Sequence, residues 1–218
     1  MITPKSPIRD GGSFTVTVTC TADPTRTRHR DDAIEDYGWI PTPDGTVLCP
    51  QPNGAKMIFP SDDHPSRRAP ITFRITVPGG LTAVANGKLV SRQDRPGGRV
   101  RRTYDSEQPV APQLAQLAIG RFTAVDTTGP HGLPIRDHVP DALVDATDAC
   151  RDLTSEHLTW HEQRLGAYPF HRYGVLVGDT GLAVAPETQT LSPLPKADLL
   201  GTRVDAERTS GSATASRP

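Results

Sequence analysis

Alternating apolar and polar residues recur along the first 140 positions, and each alternating run predicts a strand with one buried face. "SFTVTVTC" puts Phe14, Val16, Val18 and Cys20 on one side, and "ITFRITV" does the same with Ile71, Phe73, Ile75 and Val77. "LTAVANGKLVSR" holds two apolar runs joined by Asn86 and Gly87, a pair that suits the positive φ angles of a two-residue hairpin turn. "RPGG" then turns the chain into "RVRRTY", and "QLAQLAIG", "RFTAV" and "LPIRDHV" supply further strands, for a total of about eight or nine. Between Thr21 and Asn53 no period is sustained, so this stretch reads as a long excursion from the sheet with a turn at "PTPDGT". The fold class expected is mainly β, an antiparallel β-sandwich or saddle-like sheet domain over residues 1–139.

The period changes after Pro140. Leu143, Ala146, Cys150, Leu153, His157 and Trp160 recur at intervals of three and four, which predicts one amphipathic helix entered at Pro140 and Asp141 and ended near Gly166. "YGVLVG" reads as another strand, closing a second region over residues 140–191. Residues 192–218 lose all period and fill with Ser, Thr, Pro and charge, the composition of a disordered tail.

Composition reinforces the β reading: 22 prolines and 19 glycines punctuate the short runs. The charge, 24 basic against 25 acidic residues, provides no field to attract nucleic acid or an anionic membrane, so neither is expected as a partner. "RRAPITFRI" reads as a solvated strand edge. Cys20, Cys49 and Cys150 are odd in number and widely spaced, which predicts neither a disulfide framework nor a cysteine metal site. No apolar run is long enough to span a bilayer and none has signal-peptide form, so a cytoplasmic location is expected.

The candidate chemistry begins with "EHLTWHE". His157 and His161 share one helix face and in principle could grip one metal ion. A zinc peptidase of the His-Glu-x-x-His type needs its glutamate directly after the first histidine, where it takes a proton from metal-bound water, and Leu158 stands there. "HEQRL" at His161 has the glutamate but ends in Leu165. His157 is therefore expected on the apolar face as a core side chain, with no metal ligand and no catalytic residue assigned in this chain.

Residues 51–89 carry something more specific: Gln51 to Asn53, then Phe59, Pro60, Asp63 and Pro65, then the strand Ile71 to Val77, then Ala83 to Gly87. Their order and spacing resemble the N-terminal β-domain of zinc aminopeptidases of the aminopeptidase N family. "LAQLAIGRF", "LPIRDHV", "RLGAYPFHRYGVLVGD" and "VAPETQTL" match further segments in the same order, extending the resemblance over roughly residues 8–191. It implies that 140–191 is the start of a metallopeptidase domain and that the family pattern is truncated at both ends, since the zinc helix does not follow. Zinc belongs to the intact family, and no cofactor is expected in this chain.

The family's Gly-Ala-Met-Glu-Asn motif falls on Val184, Ala185, Pro186, Glu187 and Thr188. The resemblance implies that Glu187 pairs with the free α-ammonium of a peptide, and that Ala185, Gln51 and Asn53 form the rest of that substrate site. Such a pair measures off one residue from an N-terminus. Pro186 departs from the motif, because proline cannot donate a backbone hydrogen bond. Phe59, Pro60, Asp63 and Pro65 read as turn-fixing residues. Three functions follow: a fragment of a zinc aminopeptidase that is inactive alone, a non-catalytic β-module that binds a peptide terminus or protein, or one half of a split enzyme completed by a complementary metallopeptidase domain.

Overall fold

The computed structural model describes residues 6–21, 29–31, 34–43, 45–52, 54–180 and 186–199. Twelve strands and three α-helices lie within them, and most strands follow the alternation read from the sequence. The strands are β1 (His29–Asp31), β2 (Ile34–Thr42), β3 (Gly45–Cys49), β4 (Thr72–Pro78), β5 (Thr82–Ala85), β6 (Lys88–Arg95), β7 (Arg99–Asp105), β8 (Leu117–Gly120), β9 (Phe122–Thr128), β10 (Pro134–Pro140), β11 (Val175–Gly178) and β12 (Ser192–Pro195). The helices are α1 (Val144–Asp152), α2 (Thr154–Leu165) and α3 (Lys196–Leu199).

Three sheets result. One runs β1-β2-β3-β8-β5 and a second β4-β7-β6, both antiparallel throughout. The third runs β12-β11-β10-β9, with β9 antiparallel to β10 and the other pairs parallel. The molecule is thus mainly β and mainly antiparallel, with one bent helical segment, as the strand periodicity predicts. Val47, Val84 and Ala118 of the first sheet pack against Leu176 and Leu191, which ties it to the third. The Tyr104 hydroxyl of β7 donates to the Ala83 carbonyl of β5 at 3.0 Å, joining the second sheet to the first. Burial pushes that phenol up to about 12.

Several elements differ from the sequence reading. The described residues within 21–53 are not an excursion: β2 and β3 form an antiparallel pair about the expected turn near Pro43, and β3 occupies the interior of the first sheet. Val47, Leu48 and Cys49 are all buried, so β3 carries no alternation to betray it. Conversely, Phe14 to Cys20 has the alternation but no strand pairing, and Phe14, Val16 and Val18 are 66, 46 and 51% exposed. Alternation makes a strand only where a sheet edge receives it.

Asn86 and Gly87 are not a hairpin turn. β5 pairs with β8 and β6 pairs with β7, so the two residues form a corner at which the chain leaves one sheet for another. Gly87 does use the expected positive φ, 87°, and a Cβ there would meet the Asp105 carbonyl oxygen at 2.0 Å. The predicted helix ends at Gly166 as expected but breaks at Leu153, and its buried residues are Thr147, Arg151 and Leu158. The period was right and the phase wrong, because Thr147 and Arg151 satisfy each other and nearby carbonyls: Thr147 Oγ1 donates to the Leu143 carbonyl at 2.9 Å, and Arg151 Nε donates to Thr147 Oγ1 at 3.2 Å. Residues 192–199, expected to open a tail, form β12, parallel to β11, and α3. The rest of that stretch lies outside the described residues.

Candidate functional site

Gln51 stands in the turn that leaves β3, closed by the Gly54 amide donating to the Pro50 carbonyl at 2.7 Å. The 3-10 turn Ala55–Met57 follows, and the Asp63 carboxylate accepts from the Lys56 amide at 3.1 Å. Asp63 therefore acts as the turn-fixing residue its sequence context predicts. Gln51 is half-buried and its Nε2 donates to the backbone carbonyl of Glu187, 136 residues along the chain. The structure thus brings together Gln51 and Glu187, two of the four residues assigned to substrate binding. Asn53 and Ala185 lie outside the described residues.

Glu187 is exposed, and its carboxylate has no ion-pair partner among the described residues. Its neighbours on either side, Pro186 and Thr188, are buried. Pro186 contacts a small void shared with Val47, Leu48 and Pro193, so it serves as a packing residue under an exposed glutamate. The segment from Pro186 to Leu191 belongs to no strand, yet besides the Glu187 carbonyl several of its polar groups are engaged. The Gln189 amide donates to the Leu114 carbonyl at 3.4 Å, Gln189 Nε2 to the Pro109 carbonyl at 3.3 Å, and Asn86 Nδ2 to the Gln189 carbonyl. Thr188 Oγ1 donates to the Leu191 carbonyl, and Thr190 Oγ1 accepts from the Gly87 amide at 3.1 Å.

Asn86 and Gln116 are both 0% exposed and form the base of this arrangement. The Gln116 amide donates to Asn86 Oδ1, the Asn86 amide returns to the Gln116 carbonyl at 3.2 Å, and Gln116 Nε2 donates to the Leu48 carbonyl at 2.8 Å. Buried amide groups left without partners are costly, and here all but Gln116 Oε1 are used. Sequence reading gives Asn86 only a turn role and does not single out Gln116. The only signal was a polar residue interrupting each apolar run, at "AVANG" and "LAQLA".

The two helix histidines depart from expectation. His157 and His161 are exposed; with Leu153, Leu165, Leu194 and Leu199 they border an open, mainly apolar groove of about 590 Å³. His157 is thus not a core side chain; the core position one residue on is Leu158. Among the described residues no three His, Cys, Asp or Glu side chains are grouped to hold a metal ion. Two titratable groups are buried in β10 instead. Asp137 accepts from the Val175 amide at 2.8 Å and burial raises its carboxyl, while burial, aided by Arg136, pushes His138 down to about 4.

Sequence comparison finds no matching family model and no matching curated protein. Solved structures do match. A mutant of a two-domain M1 zinc metallopeptidase bound to L-arginine superposes with a TM-score of 0.69 at 26% identity, covering 77% of this chain and 39% of that one. The M1 zinc metallopeptidase from Deinococcus radiodurans gives 0.65 at 26% identity, covering 73% and 37%. A mutant of the Deinococcus radiodurans enzyme bound to a Tyr-Ser-Ala substrate gives 0.66 at 26% identity over the same shares. The chain therefore has the architecture of part of an M1 zinc metallopeptidase and spans about two-fifths of the length of the structures it matches. No helix among the described residues is long and apolar enough to cross a membrane.

Proposed function

We propose that this chain carries the amine-recognition corner of a zinc aminopeptidase of the aminopeptidase N type, with Glu187 as the anchor for a peptide's free N-terminus. One observation carries the reading: Gln51 reaches across 136 residues to bond the backbone of Glu187 and leaves the glutamate carboxylate exposed beside it. An α-ammonium offers three donors. The Glu187 carboxylate accepts in a charge-assisted bond, and Gln51, with Nε2 occupied, presents Oε1 as a second acceptor. A cation held at that point selects peptides by their terminus, because an acylated nitrogen brings neither the charge nor the donors. Asn53 and Ala185 complete the site in this reading.

The matched structures are zinc metallopeptidases, whereas the described residues of this chain offer no grouped metal donors. No hydrolytic step is therefore assigned to them, and the chain alone is proposed to bind without cleaving. The apolar groove bordered by Leu153, Leu165, Leu194 and Leu199 supports a second component of the reading, in which further metallopeptidase polypeptide covers that face and completes the enzyme.

An NMR titration of the full chain with alanyl-alaninamide and its N-acetyl form tests the proposal. Signals of Glu187 and Gln51 should move with the free amine only, and Glu187→Gln should remove the response. Equal responses to both peptides would overturn it.

A further inference from the structure

Glu187 lies outside any strand, so its position must be set by something other than a sheet ladder. Three residues further on, Thr190 has φ 65°, a left-handed conformation that β-branched side chains rarely adopt. Strain of this kind persists only where the surroundings over-determine it. Here the surroundings are the corner between β5 and β6. Asn86 Nδ2 donates to the Gln189 carbonyl, and the adjacent Gly87 amide donates to Thr190 Oγ1 at 3.1 Å. The corner cannot easily yield, because Asn86 is fully buried and locked to Gln116 by two further bonds, and Gly87 sits against the Asp105 carbonyl with no room for a Cβ.

We infer that Asn86 is a positioning residue for the amine site: its side-chain amide holds residues 189–190 in the strained turn and thereby sets where the Glu187 carboxylate stands. The inference rests on the reading of Glu187 as the ammonium anchor. The two ends of the short segment are gripped independently, Glu187 by Gln51 and Gln189 by Asn86, each through a side-chain amide donating to a backbone carbonyl. If the second grip is lost, Thr190 relaxes toward negative φ and the chain direction behind Glu187 changes. The glutamate then remains in the sequence but leaves the place where it meets an ammonium together with Gln51 Oε1. Asn86 thus acts through Glu187 without touching the ligand.

The critical substitution is Asn86→Asp, which keeps an oxygen to accept from the Gln116 amide but replaces the Nδ2 donor with an acceptor facing the Gln189 carbonyl. In the full-length chain, amide hydrogen exchange at Gly87 and Ser192 should quicken at least tenfold, while Ala118 in the interior of β8 stays unchanged. Affinity for alanyl-alaninamide should fall at least fivefold. Adding Thr190→Asn, a residue that tolerates left-handed φ and keeps a side-chain oxygen, should recover at least half of both losses. A merely structural Asn86 predicts the opposite: exchange that quickens at Ala118 as much as at Gly87, or no recovery with Thr190→Asn, and either result overturns the inference. So does unchanged exchange at Gly87 and Ser192. If the unsubstituted chain binds no free-amine peptide, the anchor reading fails, and the exchange and rescue measurements still decide the clamp.

Discussion

Two regions of this molecule break the usual sorting of polar and apolar residues, in opposite directions. Around Asn86, Gln116 and Gln189, amide side chains lie in the interior and spend their hydrogen bonds on backbone groups of distant segments. Along the α1–α2 segment, Leu153, Trp160 and Leu165 face outward, 44, 50 and 81% exposed. The first region is closed: apart from Gln116 Oε1, its side-chain amides find partners within the chain and fix the turn that carries Glu187. The second is open: Trp160 is covered by Arg164, whose guanidinium lies 3.7 Å from the ring centroid, and by an edge-to-face contact with His161, while Leu165 is left largely to solvent. Burial by pattern is therefore a poor guide to importance here, and the strongest constraints on the candidate site come from polar residues.

The largest predicted effect tests the closed region. Asn86→Leu should destabilise the chain by about 4 kcal/mol, because it leaves the Gln116 amide and the Gln189 carbonyl buried without partners. Urea denaturation measures it, and a loss comparable to a surface substitution would contradict the closed picture.

Next in size is a pH effect from β10. His138 titrates near 4 in the folded chain against an ordinary value near 6.5, so below 6.5 the unfolded state takes up a proton that the folded state refuses. Stability should fall as pH drops, by about 2 kcal/mol between pH 7 and 5 from this group. Asp137 acts the other way, since its raised carboxyl favours the folded state at low pH. The difference between the unsubstituted chain and His138→Gln isolates the histidine: His138→Gln should lose the decline between pH 7 and 5.

The smallest stability effect belongs to the open region. Leu165→Ser should change unfolding free energy by no more than about 0.5 kcal/mol, and Trp160→Ala by no more than about 1 kcal/mol, since Leu165 is exposed and Trp160 loses mainly its contact with Arg164. They should nonetheless reduce self-association in sedimentation velocity, as should Phe14→Thr in the unpaired alternating stretch. Stability losses as large as that of Asn86→Leu would mean that the helix face is already packed.

Much of the sheet was legible because β4, β6 and β7 each have one face away from the core and so alternate. β3 was not, because neighbours on both faces erase alternation. Asn-Gly correctly announced a sharp change of direction at residues 86–87, but local chemistry does not say whether the chain returns to the same sheet. The helical period was legible and its phase was not, since a buried Thr147–Arg151 pair reads as surface until its partners are seen. Gln51 and Glu187 could be linked only through the resemblance to aminopeptidases. Asn86, Gln116 and Gln189 are 30 and 73 residues apart, with the outer two 103 apart, and no local pattern connects them.

The most direct test of the account is a double-mutant cycle on ligand binding, measured by calorimetry with L-leucinamide and N-acetyl-L-leucinamide. Glu187→Gln should weaken the free amine about tenfold and Gln51→Ala about threefold, and the double variant should lose less than the product, because both groups bind one ammonium. The acetylated ligand should respond to neither change. Equal affinity for both ligands in the unsubstituted chain, or effects of Glu187→Gln and Gln51→Ala that multiply independently, would contradict the claim that these two residues form one site for a free N-terminus.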